Sequence, residues 1–211
     1  MAEYMIQGES LTTIADAIRE RAGTSEPLVF PEGFKSAIEE IPDSFSERLA
    51  GTITEYSNDK ATYISDSSFA GCNKLVKANM PNVLGMGALV FQNCFELSQV
   101  NLDSTKQIAL QTFGQNFALP KLRLPSVESI SEGAFLNCHN LVTLIISNAS
   151  VVCSLSNTDA FTNTPMTGHN GKTGYIYVPR ALVDSYKAAT NWSTFASQIR
   201  AIEDYPDITG G

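Results

Sequence analysis

The stretch that decides the fold reads Phe91-Gln-Asn-Cys94-Phe-Glu-Leu97-Ser-Gln-Val100-Asn-Leu102, and it returns as Phe113-Gly-Gln-Asn116-Phe-Ala-Leu119-Pro-Lys-Leu122-Arg-Leu124. The copies are 22 residues apart, and the same step carries five rows along the chain. One row is Phe69, Phe91, Phe113 and Phe135; a second is Cys72, Cys94, Asn116 and Cys138; a third is Leu75, Leu97, Leu119 and Leu141. Ala78, Val100, Leu122 and Leu144 form the fourth, and Met80, Leu102, Leu124 and Ile146 the fifth. A fixed period of this length marks a stacked repeat. Each unit is a turn followed by a short strand, because its closing residues alternate, Val100 and Leu102 inward and Asn101 outward. A unit this small cannot bury its own apolar side, so stacked copies must share one core. The Cys or Asn is expected at an inner corner, meeting backbone groups that the turn leaves unpaired.

The text Ile130-Ser-Glu-Gly-Ala-Phe135-Leu-Asn-Cys138-His-Asn-Leu141 resembles the BspA-like leucine-rich repeat, and the resemblance runs over about residues 51–178. It implies an α/β-type repeat solenoid of about five units. Ile53 and Tyr56 stand 22 residues before Leu75 and Ala78 and mark an incomplete first unit. At the far end the step lengthens: Phe161 follows Phe135 by 26, and an insert over 163–173, read as a surface loop, precedes the strand Gly174-Tyr-Ile-Tyr-Val178. After it, Pro179 suits a first helical turn, with Leu182, Val183, Tyr186 and Ala189 on one face. Ser193 is expected to cap a second helix carrying Phe195, Ile199 and Ile202. This ending, through Asn191-Trp192-Ser193, resembles the terminal segment of BspA-like proteins and is expected to close the solenoid as a helical cap.

Upstream, Leu11, Ile14, Ala15, Ile18 and Ala22 form a helical stripe, with Ser10 as cap and Gly23 as stop. Phe34, Ala37, Ile38 and Ile41 form a second stripe between Pro31 and Pro42. Two short helices bury too little to stand alone, so the pair is expected to dock or self-associate, as in homotrimeric fibres. The text from Ile6 to Gly23, then Phe30-Pro-Glu-Gly-Phe-Lys-Ser-Ala-Ile38, resembles a leader of bacteriophage tail and fibre proteins. That resemblance implies attachment to a virion. The expected organisation is an attachment or oligomerisation segment over 1–45, the solenoid over 46–178 and the cap over 179–211.

Composition narrows the function. The 211 residues carry a formal charge of -8, which argues against a general nucleic-acid binder. The acid is concentrated in residues 1–50, whose net charge is -6. No apolar run reaches the ~18 to 20 residues of a membrane span. Met1 to Glu9 lack a basic region followed by an apolar core, so no secretory signal is expected, which suits release by lysis.

No catalytic set, metal site or cofactor site is expected. Three of the four cysteines share a row with Asn116, an exchange that a ligand or a bridge would not tolerate, so buried structural thiols are expected. Cys72 and Cys94 are neighbours for which a bridge is conceivable and unneeded, and Cys153 has no assigned role. His139 follows Cys138 at a variable turn position, a weak basis for a Cys-His nucleophile. Gly168-His-Asn-Gly-Lys-Thr-Gly174 echoes a phosphate loop, but Met166 stands where its first glycine belongs and a strand follows in place of a helix. Asn148 and Asn191 match glycosylation acceptors, which mean little without a secretory signal.

The informative surface is the outward side of the strands. Lys77, Asn79, Gln99, Asn101, Lys121, Arg123, Thr143 and Ile145 align at the 22-residue step as one polar, mildly basic patch without aromatic rings. Solenoids bind along such faces. The expected function is a non-enzymatic virion protein of tail, baseplate or fibre, presenting this face to virion proteins or a host surface receptor. The alternatives are a bacterial BspA-like adhesion protein, a capsid decoration protein, or an intracellular enzyme or effector using the loop near His169.

Overall fold

Register organises the molecule. In the computed structural model, which describes residues 52–208, Tyr56 pairs with Ala78 and Ala78 with Val100, then Leu122 pairs with Leu144, all in parallel strands. These strands are β1 (Glu55–Ser57), β3 (Lys77–Asn79), β5 (Gln99–Asn101), β7 (Lys121–Arg123) and β9 (Thr143–Ile145). Each turn carries a second, two-residue strand: β2 (Tyr63–Ile64), β4 (Gly85–Met86), β6 (Gln107–Ile108), β8 (Ser129–Ile130) and β10 (Ser154–Leu155). They follow a further 22-residue row, Ile64, Met86, Ile108 and Ile130, every member of which is buried. Two stacks of parallel strands therefore flank the core, one on the longer strands and one on the shorter.

A phenylalanine ladder runs through the centre. The rings of Phe69, Phe91, Phe113, Phe135 and Phe161 stack with centroids 5.3, 5.5, 5.7 and 5.4 Å apart. Such pairs contribute roughly 0.5–1.5 kcal/mol each beyond the area they bury. The corner position works as its chemistry demands. Cys94 and Cys138 donate S–H bonds to the carbonyls of Phe69 (3.1 Å) and Phe113 (3.0 Å), and the Asn116 amide donates to Phe91 (2.8 Å). Thr164 takes the same place beneath Phe161, 26 residues after Cys138, with its hydroxyl donating to the Phe161 carbonyl at 2.7 Å.

Every turn also needs left-handed backbone. Gly71, Asn93, Gln115, Asn137 and Asn163, each one residue before the corner, have φ between 56 and 76°. Glycine and asparagine adopt this region at least cost.

The C-terminal end departs from expectation. β11 (Tyr175–Val178) pairs with β9, and the one α-helix among the described residues, α1 (Val183–Ala188), follows a single 3-10 turn over Arg180–Leu182. The second expected helix does not form. Trp192–Phe195 is one 3-10 turn led by Asn191 at φ 65°, Ser193 is exposed and caps nothing, and Ile199–Ala201 is β12, parallel to β11. Ile199 and Ala201 are buried on either side of Arg200, a strand period that the helical spacing of Phe195, Ile199 and Ile202 had masked. Trp192 and Phe195 instead pack against Phe161 and end the ladder. Cys153 gains a place here: its N–H donates to the Tyr186 hydroxyl (2.9 Å) and its carbonyl accepts from the Trp192 indole (2.6 Å).

The expected insert loop is anchored in the core by the buried Thr164, Pro165 and Met166, and its remaining residues run out towards solvent. The paired leader helices, the virion-leader motif and the 1–45 segment lie outside the described residues. Among those described, no helix is long and apolar enough to cross a membrane.

Candidate functional site: the outward strand face

Seven of the eight expected face residues reach solvent to some degree. Ile145 is the exception, at 0% exposure. It stands in register between Arg123 and Tyr177, at the roughly 4.8 Å strand spacing that lets flanking side chains cover it. The face also has the rings that sequence reading denied it. Tyr175 and Tyr177 extend it past Thr143 and Ile145, Tyr205 packs edge-on to Tyr177, and the Arg200 guanidinium lies 4.6 Å over the Tyr175 ring.

The centre of the face is broken for a covalent reason. Val76, Ser98, Pro120 and Val142 precede successive outward strands at the 22-residue step. The N–H of Val76 donates to Thr54, that of Ser98 to Val76 and that of Val142 to Pro120, at 2.7, 3.0 and 3.0 Å. Pro120 has no N–H to give Ser98. β5 and β7 are accordingly unpaired, and the outward sheet divides into β1-β3-β5 and β7-β9-β11-β12. A groove of about 470 Å³ lies at this seam, lined by Lys77, Asn79, Gln99, Asn101, Lys121 and Arg123 over Val100 and Pro120.

The lining is unevenly committed. Asn79 donates its amide to Ser57 and Asn101 donates to Asn79, both at 3.0 Å, forming one hydrogen-bonded row. Arg123 pairs with Asp103 at 3.0 Å, both side chains close to half exposed. Exposed pairs of this kind are worth little and exchange readily. The side chains of Lys77, Gln99 and Lys121 have no hydrogen-bond or ion-pair partner among the described residues.

The alternative chemistry near His169 has a different geometry. The two histidines of the chain stack at 4.6 Å and continue a half-exposed ladder through Phe117 and Phe95, at 5.0 and 5.1 Å. Lys172 binds the Asn140 side chain beside them. Burial, then the neighbouring charges of His169 and Lys172, hold the His139 imidazole below its ordinary value. Cys138 does not join it as a nucleophile, since its thiol is buried against the Phe113 carbonyl and pushed up to about 12 by burial. All four cysteines are free thiols, Cys72 and Cys94 included. Among the described residues, no three His, Cys, Asp or Glu side chains gather as metal ligands.

The repeat geometry has a counterpart in known sequence families. The model of the BspA type leucine rich repeat region matches residues 40–167 in six copies, more than half of the chain. The chain belongs to the BspA-type leucine-rich repeat family. No curated protein matches it. Among solved structures it is similar to the crystal structure of a leucine rich cell surface protein from Faecalibacterium prausnitzii A2-165, at 15% identity and a TM-score of 0.47. That alignment covers 68% of this chain and 35% of the other, so the chain spans about a third of that protein's length.

Two features of this BspA-type chain escaped the sequence reading although their signals were present. The break at Pro120 was legible as a proline in a row otherwise held by Val76, Ser98 and Val142. Phe95, Phe117 and His139 keep the 22-residue step, and only the insert that brings His169 beside them breaks it.

Proposed function

We propose that the chain is a non-enzymatic BspA-like interaction module of the adhesion type, binding a protein partner along its outward strand face. The observation that carries this reading is the groove at the β5–β7 seam, where aligned side chains from three turns stay uncommitted in a family of stacked repeats. Solenoids present ligand surfaces in this way because side chains on neighbouring turns are held at fixed spacing by the ladder beneath them. The thiol beside the imidazole pair is buried against the Phe113 carbonyl and adds no exposed nucleophile to it.

A second reading is kept for the leader. The sequence from Ile6 to Ile38 resembles the start of bacteriophage tail and fibre proteins, and it favours a virion protein of tail, baseplate, fibre or capsid surface, attached through that segment. Immunogold labelling with an antibody to the repeat region tests both, on intact source cells and on particles induced from them. Labelling of the cell surface supports the adhesion reading, and labelling of tail or head supports the virion reading. Absence of both labels contradicts each and returns the protein to an intracellular role.

A further inference from the structure

Resting on the interaction reading, we infer that the groove at the Pro120 seam takes an acidic, extended peptide segment of a partner protein, with Lys77 and Lys121 as its charge anchors and Gln99 between them reading its backbone. Lys77 and Lys121 occupy equivalent repeat positions on β3 and β7, two turns apart, and Gln99, in register with Lys77, holds the same position on the turn between them. Two paired strand spacings amount to about 10 Å, a lower bound for these lysines because β5 and β7 are not paired. That span suits two carboxylates on one side of an extended chain, where residues i and i+2 lie about 7 Å apart and both lysine stems are flexible.

Charge complementarity selects an anionic partner. The groove lining holds three cationic side chains and no carboxylate, within a chain whose net charge is -8. Two carboxylates stand at its margin. Glu55 is in register with Lys77 but forms no ion pair with it among the described residues, and Asp103 holds Arg123 in an exposed pair that an incoming carboxylate can replace. The remaining chemistry selects a peptide over a polyanionic sugar. The seam offers a free amide at Gln99, able to donate to and accept from a peptide group, whereas the rings of the face, Tyr175 and Tyr177, lie beyond β9 and outside the groove.

The Pro120 break makes the groove specific to this place. Wherever a row residue supplies an N–H, the next strand is held in the ladder; at Pro120 it is not. Pro120→Val, which installs the residue found at 76 and 142, is therefore expected to restore the β5–β7 pairing, raise the unfolding midpoint and narrow the groove at once. Stability and binding then move in opposite directions, which a merely damaged variant would not show.

The experiment uses the full chain and three fluorescein-labelled peptides of equal length, one alternating Glu with Thr, one Gln with Thr and one Lys with Thr, followed by fluorescence anisotropy. The expected result is saturable binding of the Glu peptide alone, weakened by salt, about tenfold weaker in Lys77→Gln/Lys121→Gln, and weaker in Pro120→Val despite its higher melting temperature. Equal binding of the Gln peptide, or a Glu-peptide affinity unchanged in both variants, overturns the proposal. So does saturable binding of dextran sulfate without binding of the Glu peptide, which would assign the groove to a polyanionic sugar. Surface or virion labelling with no peptide binding would leave the interaction reading standing and remove this one.

Discussion

At the scale of the residue, the corner row is the most exacting position in the repeat. Cys94, Asn116 and Cys138 each donate to the carbonyl of a phenylalanine one turn back, whereas Thr164 donates to Phe161 of its own turn. Asn116 brings a separate carbonyl acceptor as well, and its Oδ1 is buried without a partner among the described residues. A buried unsatisfied polar atom costs about 1–3 kcal/mol. Asn116→Cys, which matches the rows above and below, is thus expected to stabilise the fold by about 1 kcal/mol, read from urea unfolding. A second expectation concerns pH. Burial raises the Cys138 and Cys153 thiols from 9.0 to about 12, so the folded state holds these protons more tightly than the unfolded chain does. Stability from this source is complete below pH 9 and is lost as pH rises towards 12. Urea midpoints should be flat from neutrality to about pH 9 and then fall, and Cys138→Ser should reduce the fall. The rows themselves were legible in the sequence because each position has one steric or hydrogen-bonding task repeated at a fixed step. The burial of Ile145 was not, because the strand residue in register with it, Tyr177, stands 32 residues on and is displaced from the period by the insert.

Elements show the same division between what repeats and what interrupts. The longer strands were readable from the alternation at the end of each unit. The shorter strands were not anticipated, though the row Ile64, Met86, Ile108 and Ile130 announces them, since two residues are too few to show a period of their own. The C-terminal end was read as two helices because Phe195, Ile199 and Ile202 satisfy a helical spacing, while the strand period rests on Ile199 and Ala201 alone. What decided between them is tertiary: β11 presents an edge, and Ile199–Ala201 pairs with it. The plug beside that edge depends on Trp192, whose indole donates to the Cys153 carbonyl while its ring closes the phenylalanine ladder. Trp192→Phe keeps a ring but orphans that buried carbonyl, and is expected to cost about 1–3 kcal/mol in thermal or urea unfolding. Tyr186→Phe, which leaves the Cys153 N–H unpaired, should cost a similar amount. If neither change lowers stability, the cap is not held through Cys153.

For the whole molecule, the consequence of stacking is that a local chemical fact acquires a fixed address. Each unit touches mainly its neighbours, so a proline in one turn opens one seam and leaves the longer-strand ladder intact on both sides, while the shorter-strand stack divides between β4 and β6. On this view the function of the face follows from where the repeat is imperfect: the ladder supplies spacing, and Pro120 supplies the groove. The most direct measurement is amide hydrogen exchange across the full chain, with and without saturating Glu-Thr peptide. Without peptide, the amides of Val100, Lys121 and Arg123, which face the unpaired seam, are expected to exchange faster than the corresponding amides of β3 and β9, and with peptide the new protection should centre on β5 and β7. Uniform slow exchange across the seam, or protection centred on the Phe95–His169 ring ladder, would contradict the assignment of binding to this face.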